Sequence, residues 1–165
     1  MKQTLITLAA ALGLTLGCGH EHSHDGHNHG SHGHNHGSGG HHHEPPNGGV
    51  LVVFGDEACS LEFVRDKENP SRLTILAHEF HPTHAYIKLP MDKVEVVATV
   101  NGEEKSLTFM PVVDETIGNN ATHSSEYSCS ADWLKDTEEF EARIVHLDYP
   151  GGSSDNKSFK FSQSK

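Results

Sequence analysis

No cluster of lysine and arginine occurs anywhere in the 165 residues, and 12 basic residues face 23 acidic ones, a formal charge of −11 with histidine neutral. The phosphate-binding footprint of a nucleic-acid protein is therefore missing, and nucleic acid is not expected as a partner. Methionine is scarce, with three residues including Met1, so a thioether site for Cu(I) is poorly supported. Cysteine is scarce as well: three residues and no Cys-x-x-Cys pair, too few for a thiolate zinc site. The chain lacks Gly-x-Ser-x-Gly, His-Glu-x-x-His and a phosphate-cradling glycine loop. These absences point away from an enzyme. Asp56, Glu57 and Glu62 near a turn, and Glu138-Glu139, read as solvated acids. A metallohydrolase would need a carboxylate base that the sequence does not place.

The one long apolar run is short. In MKQTLITLAAALGLTLGC, Lys2 precedes an apolar stretch from Leu5 to Leu16, about a dozen residues and too few to span a bilayer comfortably. Gly17-Cys18 closes it. The pattern resembles a bacterial lipoprotein signal over residues 1–17, cut before a lipid-bearing Cys18. Thr15 and Leu16 hold the positions where Leu and a small residue are usual, with Leu14 one place early. The rival is a secretory signal cut after Ala11, which would leave LGLTLGC exposed on a soluble protein. Either reading exports the chain to the periplasm or cell envelope. In an oxidising compartment Cys59 and Cys129 are then expected to pair. Cys59 is in phase with Leu61 and Phe63, and Cys129 with Tyr127.

Histidine is abundant. Residues 19–44, GHEHSHDGHNHGSHGHNHGSGGHHHE, hold 11 of the 16 histidines: His20, His22, His24, His27, His29, His32, His34, His36, His41, His42 and His43. GHNHGS occurs at 26–31 and again at 33–38. Nothing in the stretch is apolar enough to bury, which predicts disorder over residues 18–48. In His-x-His pairs an extended backbone points both rings to one side, and the intervening Gly and Ser let the chain wrap around an ion. Zn²⁺ or Cu²⁺ takes three or four such donors. Eleven interchangeable imidazoles imply modest affinity, fast exchange and little selectivity, with Glu21, Asp25 and Glu44 as added oxygen ligands. Metal ligands must be deprotonated, so mild acid releases the ion. A purification tag, a plain spacer and a pH sensor are the competing readings. His-rich, Met-poor chemistry favours divalent zinc, nickel or copper, with zinc preferred on availability.

A second candidate is HEFHPTH (78–84). His78, His81 and His84 follow an expected strand, and three imidazoles at spacing three can converge as a preformed site or simply face solvent. His123 lies in a Gly/Asn/Ser loop and reads as exposed. His146 is in phase with Phe140, Ala142 and Ile144 and reads as partly buried. Either is available as a fourth ligand.

From Gly49 on, the apolar period is two. LVVF (51–54), CSLEFV (59–64), RLTILA (72–77), AYIKL (85–89), KVEVVATV (93–100), SLTFMPV (106–112), EARIVHL (141–147) and SFKF (158–161) read as strands between turn signals. Asn101-Gly102 suits a tight hairpin. Only Ser130 to Glu138 reads as a helix, with Ser130 as its N-cap. Seven to nine short strands over residues 49–165 imply an all-β antiparallel sandwich, immunoglobulin-like, with a barrel as the alternative.

Residues 45–79 resemble the small periplasmic β domain found beside heavy-metal efflux adaptors and in some His-rich bacterial lipoproteins. The matching pieces are Gly48-Gly49, Gly55-Asp56-Glu57, Leu61-Glu62-Phe63-Val64 and Leu73-Thr74-Ile75-Leu76. Asn47 stands where that family often has His. The resemblance implies metal traffic in the envelope and supplies no catalytic residue. The sequence thus predicts an exported, lipid-anchored protein that binds and buffers divalent metal, serving an efflux adaptor or transporter. The other class is a protein-interaction module whose His tract is a metal- or pH-responsive spacer.

Overall fold

The computed structural model describes residues 43–163. The signal over 1–17, Cys18 and the tract histidines from His20 to His42 lie outside the described residues.

Alternating burial produces nine strands: β1 (Val50–Phe54), β2 (Cys59–Arg65), β3 (Arg72–Glu79), β4 (Ala85–Tyr86), β5 (Val94–Val100), β6 (Glu103–Pro111), β7 (Glu126–Ser130), β8 (Glu139–Tyr149) and β9 (Gly152–Ser162). In β5, Val94, Val96 and Ala98 are buried while Glu95 and Thr99 are exposed, as a sheet with one wet face requires. Asn101 and Gly102 both carry positive φ, 52° and 83°, the requirement of a type I′ turn. Val100 accordingly pairs with Glu103, and β5–β6 closes as the expected hairpin.

All pairings are antiparallel, in the order β1-β2-β3-β7-β6-β5-β8-β9, with β4 added to the end of β3. The all-β class is as expected. The strands form one continuous sheet that curls toward the barrel which the strand pattern left open. Its two ends meet through side chains. Phe63 stacks on Phe159 with ring centroids 4.5 Å apart, and Phe54 meets Tyr149 at 5.9 Å. Gln163 donates to the Gly48 carbonyl at 3.0 Å and accepts from the Arg65 amide at 2.8 Å. Inside the curl lie Leu61, Phe63, Leu73, Ile75, Phe109, Tyr127, Ile144 and Phe161, all buried. Among the described residues no helix is long and apolar enough to cross a membrane.

Three local expectations are corrected. Residues 130–138 form no α-helix; only a 3-10 turn spans Asp132–Asp136. Ser130 instead ends β7, and the Ala131 amide bonds to the Ser71 carbonyl at 2.9 Å. The buried Arg65 guanidinium takes the carbonyls of Leu134 and Thr137, which a longer helix would have used within itself. Tertiary bonding here overrides local propensity.

The Cys59–Cys129 disulfide is the second correction. Both thiols are free and buried. Cys129 pairs with Leu73, and Ser60, next to Cys59, pairs with His78 at the other end of β3. The two cysteines are thus about six strand positions apart, on the order of 20 Å, far beyond the 7 Å limit of a bridge. Burial pushes both thiols up to about 12, so neither supplies a thiolate. Third, His146 faces solvent. The alternation of β8 slips after Ile144, opposite Asn156 with its φ of 52°, so that Leu147 takes the core position.

Gly49 leads the chain into β1 across the back of β2. A Cβ at this position would lie 2.4 Å from the Phe63 carbonyl oxygen, a contact no side chain tolerates. We expect Gly49→Ala to destabilise the metal-free protein by about 1–3 kcal/mol, measured as a loss in denaturant midpoint at unchanged slope. An unchanged midpoint would show that this entry is loosely packed.

Candidate metal centre

β2 is buried on both faces. Leu61 and Phe63 point into the core opposite Ala77 and Ile75. By alternation Ser60 and Glu62 face the outside of the sheet, together with Leu76 and His78 of β3. Yet Ser60, Glu62 and His78 are all fully buried. The entry segment accounts for part of this cover. Asn47 donates its amide to Glu62 Oε1 at 2.8 Å and its side-chain NH₂ to Oε2 at 2.8 Å, and the Gly49 amide donates to Oε1 at 3.0 Å. His78 Nε2 lies 3.1 Å from Glu62 Oε2, so this nitrogen carries the hydrogen and the carboxylate accepts it. Glu62, expected to be solvated, is the most heavily bonded acid of the described residues. Four donors on two oxygens fill its acceptor capacity.

His78 Nδ1 is then left with its lone pair, directed at His84 Nε2 at 2.9 Å. Strand β3 runs to Glu79, two residues past the expected end, and this extension takes His78 into the sheet. Burial lowers the His78 pKa from its ordinary value; Glu62 works against that shift and His84 with it.

The other imidazoles converge elsewhere. His43 Nε2 and His81 Nε2 both approach Glu57 Oε2, at 3.5 and 2.9 Å. Ligand atoms of these three residues all lie within 4.8 Å of one another, the one such trio among the described residues. Burial raises the Glu57 pKa, but His43 and His81 beside it more than offset this and hold the carboxyl below its usual value. Glu57 is presented by the β1–β2 turn, where Gly55, Asp56 and Glu57 have φ of 53°, 49° and 74°. Left-handed backbone costs a non-glycine residue about 1–2 kcal/mol, and such strain gathers at functional positions. The turn was read from sequence; the aim of its third residue was not.

HEFHPTH therefore does not close on one ion as a triad. His81 joins His43 and Glu57, while His78 and His84 join Glu62. The division follows from the strand: His78 is locked in β3, and His81 and His84 lie beyond its end. Phe80 is the ring common to both groups. It stacks on His43 with centroids 4.2 Å apart and planes 6° apart, and on His84 at 5.2 Å and 19°.

Among the described residues, the remaining histidines, His123 and His146, stand apart from both groups. His123 is exposed, as expected, and hydrogen-bonded only locally to Thr122 and Asn120. His146 lies between Asp155 at 2.7 Å and Asp148 at 3.2 Å, and these carboxylates raise its pKa. Both line an open groove of about 520 Å³ with Asp92 and Glu95.

Two imidazoles and one carboxylate form a donor set suited to Zn²⁺, and to Ni²⁺ or Cu²⁺. Three protein ligands leave a coordination position open for exchange. Glu57, Glu62 and Asn47 are the members of this region that sequence reasoning missed.

A pH effect follows. A buried histidine whose folded pKa lies below its unfolded value of about 6.5 favours folding above that pH, and loses the contribution as pH falls below it. Chelator-treated protein is expected to melt at lower temperature near pH 5.5 than near pH 7.5. His78→Gln retains a donor to Glu62 but does not titrate, and should show the shallower slope. His146 has the opposite sign, but it is exposed and screened. Equal slopes in both proteins would refute the role of His78. Compared with known proteins, the chain matches no family model, no curated protein and no solved structure.

Proposed function

We propose that this chain is an exported, lipid-anchored carrier of divalent transition metal, zinc by preference. The histidine tract captures ions, and His43, Glu57 and His81 receive them on the folded domain. One observation carries the reading. His43 is the last histidine of the tract, yet it lies against Glu57 together with His81 of the second histidine-rich segment. The two stretches singled out by composition are 38 positions apart at these residues and share one carboxylate oxygen.

The chemistry supports transfer more than storage alone. Degenerate imidazoles exchange ions quickly, and a three-ligand site with a strained carboxylate and an open position both accepts and releases. Attachment through Cys18 puts the tract at a membrane surface in the cell envelope. The likeness of residues 45–79 to domains beside efflux adaptors makes such an adaptor or transporter the fitting recipient. No catalytic step belongs to this reading.

Glu57→Gly separates stability from binding. Glycine accepts a φ of 74° without the Cβ penalty, and the partly exposed ion pairs it removes are worth about 1 kcal/mol or less. Metal-free stability should stay within about 1 kcal/mol of the parent. Zinc titration of the full chain in competition with a chelator should show the tightest ion weakened on the order of 10–100-fold. The weaker events of the tract should persist. A tightest event unchanged by Glu57→Gly would overturn the proposal.

A further inference from the structure

We infer a second transition-metal site in which His78 Nδ1 and His84 Nε2 are the ligands and Glu62 is the outer carboxylate. It rests on the reading of the chain as a metal carrier for the choice of ion, but on different residues for its geometry.

The first argument is the tautomer. Glu62 Oε2 holds the hydrogen on His78 Nε2, so the Nδ1 lone pair is fixed and aimed outward. A carboxylate behind an imidazole in this way is the usual support of a metal-ligating histidine, setting its orientation and raising its basicity. Glu62 is itself fixed by Asn47 and Gly49. A ligand with every supporting atom already placed needs little ordering when an ion arrives.

The second argument is distance. Two nitrogens bound to one tetrahedral Zn²⁺ at 2.0–2.1 Å sit about 3.3 Å apart. His78 Nδ1 and His84 Nε2 are 2.9 Å apart, so an opening of roughly 0.4 Å admits the ion. His78 is held in the sheet, whereas His84 is exposed in the segment before β4, and His84 gives way. The hydrogen on His84 Nε2 moves to its Nδ1, a change of tautomer with no net proton released.

The third argument is the surrounding shell. Tyr86 lies 4.8 Å from the His78 ring, and Phe80 5.2 Å from the His84 ring. Aromatic rings thus flank both ligand histidines, while the exposure of Tyr86 and His84 leaves an approach for an ion. Two protein ligands hold an ion less firmly than the three at Glu57, and the remaining positions are open to an incoming donor. With Phe80 stacked on rings of both groups, the two sites are neighbours, suited to passing an ion from one to the other. The competing reading is a plain hydrogen bond in which His84 caps His78 and no ion enters.

The test uses the full chain with ¹⁵N-labelled histidine, loaded with excess ¹¹³Cd²⁺ as the probe, and reads ¹¹³Cd–¹⁵N couplings in the imidazole spectrum. One cadmium resonance should couple to both His78 Nδ1 and His84 Nε2, and a different one to His43 and His81. His84→Ala should abolish the coupling at His78 and leave His43 and His81 coupled. Coupling at His43 and His81 with none at His78 Nδ1 would overturn the second site and leave the Glu57 centre standing. Coupling at His78 and His84 alone would support the second site and overturn the Glu57 centre. No coupling at any of the four would overturn both.

Discussion

The arrangement depends on one buried carboxylate. Glu62 lies on the outer face of β2 with no solvent exposure, and an isolated charge in such a place would be prohibitive. Four donors make it tolerable: two from Asn47, one from Gly49 and one from His78. The same bonds do two structural jobs. They fasten residues 47–49 across the sheet, which brings the segment carrying His43 to the β1–β2 turn. They also set the hydrogen of His78 on Nε2, which decides the direction of its lone pair. Removing one partner of such a group leaves the others unsatisfied, so the network stands or falls as a unit.

This coupling gives a physical link between a composition and a fold. On the proposed function, a histidine tract alone would bind metal without preference, because its donors are interchangeable. The folded domain adds two imidazoles and a carboxylate whose ligand atoms lie within 4.8 Å of one another. His43 belongs to both: by sequence it ends the tract, and by position it stacks on Phe80 and approaches Glu57.

Much of the fold was legible because burial on one face imposes a period of two. Eight of the nine strands follow from that pattern. The missed one, β7, has only Tyr127 and Cys129 facing inward, two inward positions that were read as in phase but are too few to register as a strand beside an expected helix start at Ser130. The expected helix failed because Arg65, distant in sequence, claims its carbonyls. For the site, residue types were legible and partners were not. Glu62 looked solvated because an alternating strand normally has a wet face, and nothing local announces that residues 47–49 return to cover it. Glu57 looked like an ordinary turn acid because its aim depends on three successive positive φ angles. HEFHPTH was recognised as a cluster, but its division between two carboxylates is fixed by where β3 ends.

The most direct measurement of the central claim is anomalous diffraction at the zinc edge from zinc-loaded crystals of the full chain. The account predicts a peak bonded to His43 Nε2, His81 Nε2 and a Glu57 oxygen at about 2.0–2.2 Å. Zinc bound by the protein with no peak at Glu57 would contradict it. Were His78 and His84 empty as well, the folded domain would owe its existence to a protein partner, with the tract alone binding metal.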